Sequence, residues 1–276
     1  MVPMLPNQTL EVTFILIVTL AFSTPRKGRF TPRAEGIIDF GVMYAPKTAR
    51  SFNGSRRVLF GWVMESWCSE GCRYGPVCGW DSTPPVSWDG AAALPRELTV
   101  DQATGHLLMD PVAEVTTLRV SGSKRSLGPW PLSPTDPAIA VMRGRGVELN
   151  ITAHAPTPGT SLVVNVLCSS PPPHPGECTS IVVNGTSRKV VVDLSRSTIG
   201  SVGSRAPVMA PIPDAPGPLK MSVFVDYSIV EVFVSSRSVL TARVYPTLSN
   251  SDGVFVGAAG VADVNVTQLE AWELAR

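Results

Sequence analysis

The run Lys220–Thr247, KMSVFVDYSIVEVFVSSRSVLTARVYPT, constrains this chain more than any other stretch. Val223, Val225, Ile229, Val230, Val232, Phe233 and Val234 are β-branched or aromatic, the types that suit a pleated, half-buried surface. Asp226-Tyr227-Ser228 interrupts them with turn-forming chemistry. A second polar break, Ser235-Ser236-Arg237, precedes another strand-like run, Ser238 to Tyr245. The pattern predicts two or three consecutive antiparallel strands at the centre of a β-sandwich.

The rest of the chain agrees with an all-β class. The 26 prolines and 23 glycines punctuate short apolar runs, and no long stretch has helical periodicity. From Val120 onward, strands are expected at Gly146–Thr152, Thr160–Leu167, Ser180–Val183 and Lys189–Leu194. Ser201–Gly217 reads as a Pro/Gly/Ala loop. In Val261–Leu274 the residues Val264, Val266, Leu269, Trp272 and Leu274 are expected to face inward. Nearer the start, Asn53-Gly54 is a hairpin-turn signal ahead of a strand over Arg57–Val63. A chain of 276 residues buries roughly three quarters of its unfolded surface, enough for one or two cores. Charged residues are 16% and the formal net charge is +1, so no electrostatic case for nucleic acid or an anionic membrane arises.

Asn-x-Ser/Thr sequons stand at Asn7, Asn53, Asn150, Asn184 and Asn265, which points to the secretory pathway. Cys168 and Cys178 flank the loop SSPPPHPGE and are placed to close a disulfide across it. Cys68, Cys72 and Cys78 cluster apart, without the paired Cys-x-x-Cys spacing or nearby histidine of a zinc site. His106, His154 and His174 form no metal or Ser/His/Asp spacing, and neither metal nor cofactor is expected. Val12–Phe22 is too short to span a bilayer. It has the length of a signal-peptide apolar region, with small residues at Ala21 and Ser23, but no Lys or Arg precedes it; a buried strand is the other reading.

DYSIVEVF followed by VLTARVYPT resembles the C-terminal β-sandwich signature of glycoside hydrolase family 32, the invertases and fructan hydrolases. The resemblance extends to Asp39-Phe40-Gly41, Tyr44-Ala45-Pro46-Lys47-Thr48, Arg56-Arg57, Gly61-Trp62 and Glu65, which look like the last blade of that family's five-bladed propeller. Gly79-Trp80 and Pro95-Arg96-Glu97-Leu98 continue it, and His106–Arg119 looks like the connector. The implied organisation is a signal-like or irregular segment over 1–28, a propeller remnant of about one blade over 29–112, and a β-sandwich over 113–276.

Retaining glycosidases need two carboxyl groups about 5 Å apart. The family's nucleophile motif Trp-x-Asn-Asp-Pro-Asn-Gly, its Arg-Asp-Pro and its Glu-Cys-Pro/Val are not found in this sequence. Asp110-Pro111 and Asp136-Pro137 lack the Arg, and Glu177-Cys178 falls in the sandwich. No catalytic residue is therefore assigned. The resemblance implies a portion of a β-fructofuranosidase, acting on sucrose or fructan when complete, in the cell wall or vacuole or secreted, and inactive alone. The alternatives are a non-catalytic secreted protein that binds carbohydrate or an enzyme through its sandwich, and a subunit that associates with a propeller-bearing chain. By resemblance Asp39, Tyr44, Lys47, Trp62 and Glu65 lie near substrate. The competing reading puts Tyr44 and Trp62 in the blade core and Glu65 at a solvated strand end. Asp226, Ser228, Glu231 and Arg243 carry the sandwich signature and are read as structural, with Asp226 and Ser228 capping backbone groups at a turn.

Overall fold

The computed structural model describes residues 17–21, 32–50, 54–65, 90–201 and 203–275. The first strand, β1 (Ile17–Ala21), pairs antiparallel with β2 (Pro32–Ile37). The apolar run Val12–Phe22 thus supplies a strand over its last part, while its earlier residues lie outside the described ones. A five-stranded sheet follows: β3 (Met43–Arg50), β4 (Arg57–Val63), β5 (Ala91–Ala92), β6 (Arg96–Val100) and β7 (Leu107–Pro111), in the order β3-β4-β6-β7 with β5 also on β4. β3 and β4 pair antiparallel, and Gly54 ahead of β4 takes φ +73°, a conformation glycine adopts without penalty.

The chain then passes through a 3-10 turn, Ala113–Leu118, into two larger sheets. In order of sequence they use β8 (Arg125–Leu127), β9 (Trp130–Leu132), β10 (Ile139–Arg143), β11 (Gly146–Ala153), β12 (Thr160–Cys168), β13 (Thr179–Asn184) and β14 (Lys189–Asp193). They continue with β15 (Val208–Pro211), β16 (Leu219–Asp226), β17 (Ile229–Val234), β18 (Ser238–Arg243), β19 (Gly253–Gly260) and β20 (Val264–Glu273). One sheet runs β10-β19-β12-β13-β14-β15; the other runs β18-β17-β16-β11-β20-β8, with β9 also on β20. Their inner faces enclose one core rich in valine, with Leu149 and Ile151 of β11 facing Leu162 and Val164 of β12. Each such side chain contributes about 1.5–3 kcal/mol by burial.

Three expectations need correction. β16, β17 and β18 are the three antiparallel strands foreseen, but they occupy one end of their sheet, with β18 at its edge. The loop over Ser201–Gly217 contains β15, which extends the other sheet by pairing with β14. In β20 the register shifts where Ala153 meets Val266, and the extra residue flips the strand. Val264, Val266, Leu269 and Ala271 enter the sandwich core, whereas Leu274 packs on the opposite side, against a second core, and Trp272 lies outside the sandwich core beneath the Arg119 guanidinium.

That second core explains why every residue of β17 and β18 is buried. Val230, Val232, Val234, Leu240 and Ala242 face the sandwich interior, while Ile229, Phe233 and Val239 face the five-stranded sheet, against Ile38, Met43, Leu59 and Val63. A strand buried on both faces reads as a continuous apolar run rather than an alternation.

Candidate functional site

The edge of β18 is closed by the chain entering β3. Phe40 N donates to Val239 O at 2.9 Å and Val42 N to Thr241 O at 2.9 Å. Between them, a Cβ on Gly41 would overlap the Thr241 carbonyl oxygen, so only glycine allows this approach. An edge that would otherwise template association is thereby covered. At the next turn Met109 N donates to Ser236 O at 2.7 Å, and Arg237 meets Asp101 at 2.6 Å.

Two buried ionic clusters sit behind this seam. In the first, Arg96 Nη2 donates to Asp39 Oδ2 at 2.7 Å and to Glu231 Oε2 at 3.0 Å, with Nη1 on Ile38 O at 3.1 Å. Asp39 also accepts from Gly41 N at 2.7 Å, Thr241 N at 3.2 Å and the Thr241 hydroxyl at 2.6 Å, while Glu231 Oε1 accepts from Leu94 N at 2.7 Å. The guanidinium stands 5.4 Å from the centre of the Phe233 ring. Burial opposes the Arg96 charge, yet Asp39 and Glu231 more than offset it and hold its pKa above the ordinary value. For Glu231 the balance goes the other way: burial pushes its carboxyl up, and Arg96 only partly restrains it.

In the second cluster Glu65 is clasped by Arg243, Nε to Oε2 at 3.0 Å and Nη2 to Oε1 at 2.7 Å. The Tyr245 hydroxyl donates to Oε2 at 2.5 Å and Gly90 N to Oε1 at 3.2 Å. Glu65 is thus buried within an ion pair, neither a solvated strand end nor open to a saccharide.

Further into the sandwich, Glu177 is completely buried, and among the described residues no cation pairs with it. It accepts from Thr247 N and Oγ1 at 2.8 and 2.5 Å, Leu248 N at 2.9 Å, Ser251 Oγ at 2.6 Å and Ile199 N at 3.0 Å. Burial raises its pKa, but the donors led by Ser251 and Thr247 prevail and bring it down to about 2. Its neighbour Cys178 is disulfide-bonded to Cys168.

The remaining expected residues are spread over the surface. Tyr44, Phe60 and Trp62 are 48%, 50% and 52% exposed on the blade, so the aromatics stand outside its core. Tyr44 pairs with Trp62 across β3 and β4, and exposed Lys47 pairs with Phe60. Asp226 is exposed at the end of β16, and Ser228 half-buried in the two-residue turn. That turn is fastened through the backbone, Tyr227 N to Arg145 O at 2.7 Å and Val244 N to Ser228 O at 2.8 Å. A cleft of about 820 Å³ opens beside it, between Ala92–Pro95 of the blade and Arg143–Gly146 of the sandwich, walled by Asp226, Tyr227 and the Arg143–Asp252 ion pair.

Asn150 lies mid-strand in β11, its amide nitrogen donating to Glu148 at 2.8 Å and its oxygen accepting from Ser222 at 2.6 Å. Asn184 is half-buried at the end of β13, Asn265 is exposed on β20, and Asn7, Asn53 and the cluster Cys68, Cys72 and Cys78 fall outside the described residues. Among the described residues no group of three His, Cys, Asp or Glu is placed to hold a metal ion, and no helix is long and apolar enough to cross a membrane.

Sequence reasoning passed over Arg96, Thr241, Tyr245 and Glu177 as functional positions. Arg96 and Thr241 sat inside recognised motifs, and an arginine in a strand-like run was the available signal. Nothing in sequence foretold that Glu177 would gather donors from residues about seventy positions later.

The five-stranded sheet thus docks on a two-sheet sandwich and is joined to it by buried ion pairs. The pattern "Glycosyl hydrolases family 32 C terminal" matches residues 114–273, and "Glycosyl hydrolases family 32 N-terminal domain" matches residues 15–111. The chain belongs to glycosyl hydrolase family 32. Among curated proteins it is 26% identical to a fructan 6-exohydrolase of Beta vulgaris, over 86% of this chain and 43% of that one. It is 27% identical to an acid beta-fructofuranosidase of Vicia faba, over 86% of this chain and 40% of that one. The chain therefore spans less than half the length of these relatives. Its fold matches a solved fructan 1-exohydrolase IIa of Cichorium intybus in complex with 1-kestose, with TM-score 0.75 and 19% identity over 94% of this chain and 54% of that one. It also matches an exo-inulinase of Aspergillus awamori, with TM-score 0.70 and 20% identity over 90% and 48%.

Proposed function

We propose that this chain is the non-catalytic half of a β-fructofuranosidase architecture, a sandwich carrying one propeller blade, and that it does not hydrolyse sucrose or fructan unaided. The observation that carries this reading is the use made of its buried carboxylates. Among the described residues these are Asp39, Glu65, Glu148, Glu177 and Glu231. Four of them face an arginine, and Glu177 is enclosed by hydroxyl and backbone donors. Asp39 and Glu231 are both bonded to Nη2 of Arg96, and both are shut away from solvent. A nucleophile and an acid need access to a sugar, and these groups are instead spent on buried ion pairs and, for Glu177, on holding the loop 247–251.

In a complete enzyme Tyr44, Lys47 and Trp62 are the substrate-side candidates on this piece, and the saccharide is a β-fructoside. Curated relatives named as acid beta-fructofuranosidases, one of them vacuolar, support a route through the secretory pathway, as do the disulfide and the sequon at exposed Asn265. The reading is tested by mixing the purified chain with the N-terminal portion of the Beta vulgaris relative, cut ahead of the segment this chain matches. Co-elution with regained fructose release supports it, and failure of the two to associate counts against it.

A second reading has its own support. Tyr44, Phe60 and Trp62 form an exposed aromatic group on one face of the blade, suited to stacking on a saccharide. Retention on an inulin column that Trp62→Ala abolishes, without loss of thermal stability, would favour a carbohydrate-binding protein.

A further inference from the structure

The outer face of the sandwich carries a row in register, Thr241, Glu231, Phe224, Glu148 and Trp272, and Asp39 and Arg96 of the blade region close over one end of it. At that end the charges do not balance. Asp39 and Glu231 share the single Nη2 of Arg96, and all three side chains are 3% exposed or less. Nη2 carries two hydrogens but faces three acceptors, since Thr241 Oγ1 is also 3.0 Å away. The Thr241 hydroxyl is itself spent on Asp39.

Among the described residues no second cation reaches the cluster. Arg243, two residues along β18, is taken by Glu65, and Arg119 is taken by Glu148 on the far side of Phe224. Asp226, on the same face of β16 as Phe224, is a further acid. An uncompensated charge on side chains this buried is costly, and a proton removes it.

We propose that the Asp39–Arg96–Glu231 cluster holds one proton on its carboxylate pair, on the Glu231 side, so that the junction between blade and sandwich is a latch that tightens as the medium is acidified. A proton on Glu231 leaves Arg96 with one full carboxylate partner and relieves Nη2 of its surplus acceptor. The direction of the Glu231 shift agrees, with burial pushing the carboxyl up and the Asp39 charge adding to it. The sign follows. The folded form retains a proton that the unfolded chain releases in the ordinary carboxylate range, so stability is full below that range and is lost as pH rises through the folded value. Nothing in this depends on whether the chain is catalytic.

Unfolding of the full chain by urea is followed from about pH 5 to about pH 8, with Glu231→Gln alongside. Between the ordinary carboxylate range and the pH at which folded Glu231 gives up its proton, the folded-to-unfolded ratio of the wild type should fall by up to about tenfold per pH unit. In the variant that component should be absent, so that the two profiles diverge. Parallel profiles would overturn the proposal. If Glu231→Gln does not fold, the wild type decides the matter by infrared spectroscopy at about pH 6, above the ordinary carboxylate range. A solvent-shielded carboxylic-acid band supports the proton, and its absence refutes it.

Discussion

Arg243 grips Glu65 with two hydrogen bonds, at 3.0 and 2.7 Å, across 178 residues of chain. The arginine comes from the edge strand of the sandwich and the glutamate from two residues past the end of the blade strand β4. Removing one partner leaves the other charged and buried, which costs about 3–5 kcal/mol. Glu65→Ala and Arg243→Ala should each lose stability on that scale, while the double variant should lose much less than their sum. Equilibrium denaturation of the four proteins measures the coupling; additive losses would deny it.

Gly41 is where the blade region touches the sandwich backbone most closely. Its alanine variant puts a methyl carbon into the Thr241 carbonyl and forces apart the two hydrogen bonds of Phe40 and Val42. A loss of about 1–3 kcal/mol, typical of overpacking, is expected. Amide exchange should quicken at Phe40 and Val42 in particular, and unchanged protection there would show that the seam absorbs the methyl.

Phe233 and Leu240 separate the two cores. Phe233 packs edge-on against Phe224, with ring centres 5.9 Å apart, in the junction, and Leu240 lies in the sandwich interior. Phe233→Ala should cost about 3–5 kcal/mol and Leu240→Ala about 2–5 kcal/mol. Only the first should make the 3-10 turn Ala113–Leu118 readily cut by protease under native conditions. Equal cutting in both variants would argue that the sheets unfold as one unit.

Glu177 sets the acid limit. Its pKa in the fold is about 2, against an ordinary value of 4.5. A lowered carboxylate stabilises fully above the ordinary value and loses that contribution as pH falls through the folded one, so the relevant window is about pH 4.5 down to about 2. The difference corresponds to roughly 3 kcal/mol. Glu177→Gln should be destabilised by about this much at neutral pH, and the gap to wild type should close across the window. A gap that is constant with pH would mean that shape rather than charge holds the loop 247–251.

Much of the fold was legible because it rests on local chemistry. The β-branched runs and the Asp226-Tyr227-Ser228 turn act over a few residues, and the structure has strands and a turn there; β3 and β4 pair antiparallel on either side of the Asn53-Gly54 signal, of which Asn53 lies outside the described residues. What escaped the sequence is non-local. Both faces of β17 are buried because two separate layers cover it, and the pattern alone does not distinguish that from a central strand. The bulge in β20 changes which residues face inward without changing composition. Arg96, Thr241 and Tyr245 matter through partners more than a hundred residues away, a relation that no spacing within one motif encodes.

The proposed function has this half of the architecture fold and dock without cleaving a fructosyl bond by itself. The direct measurement is fructose release from sucrose and from 1-kestose by the purified, folded chain, against a heat-killed sample. The account predicts no release above that control. Turnover that exceeds it and follows the protein through purification would contradict the account and require a carboxylate pair within this chain to be open to substrate.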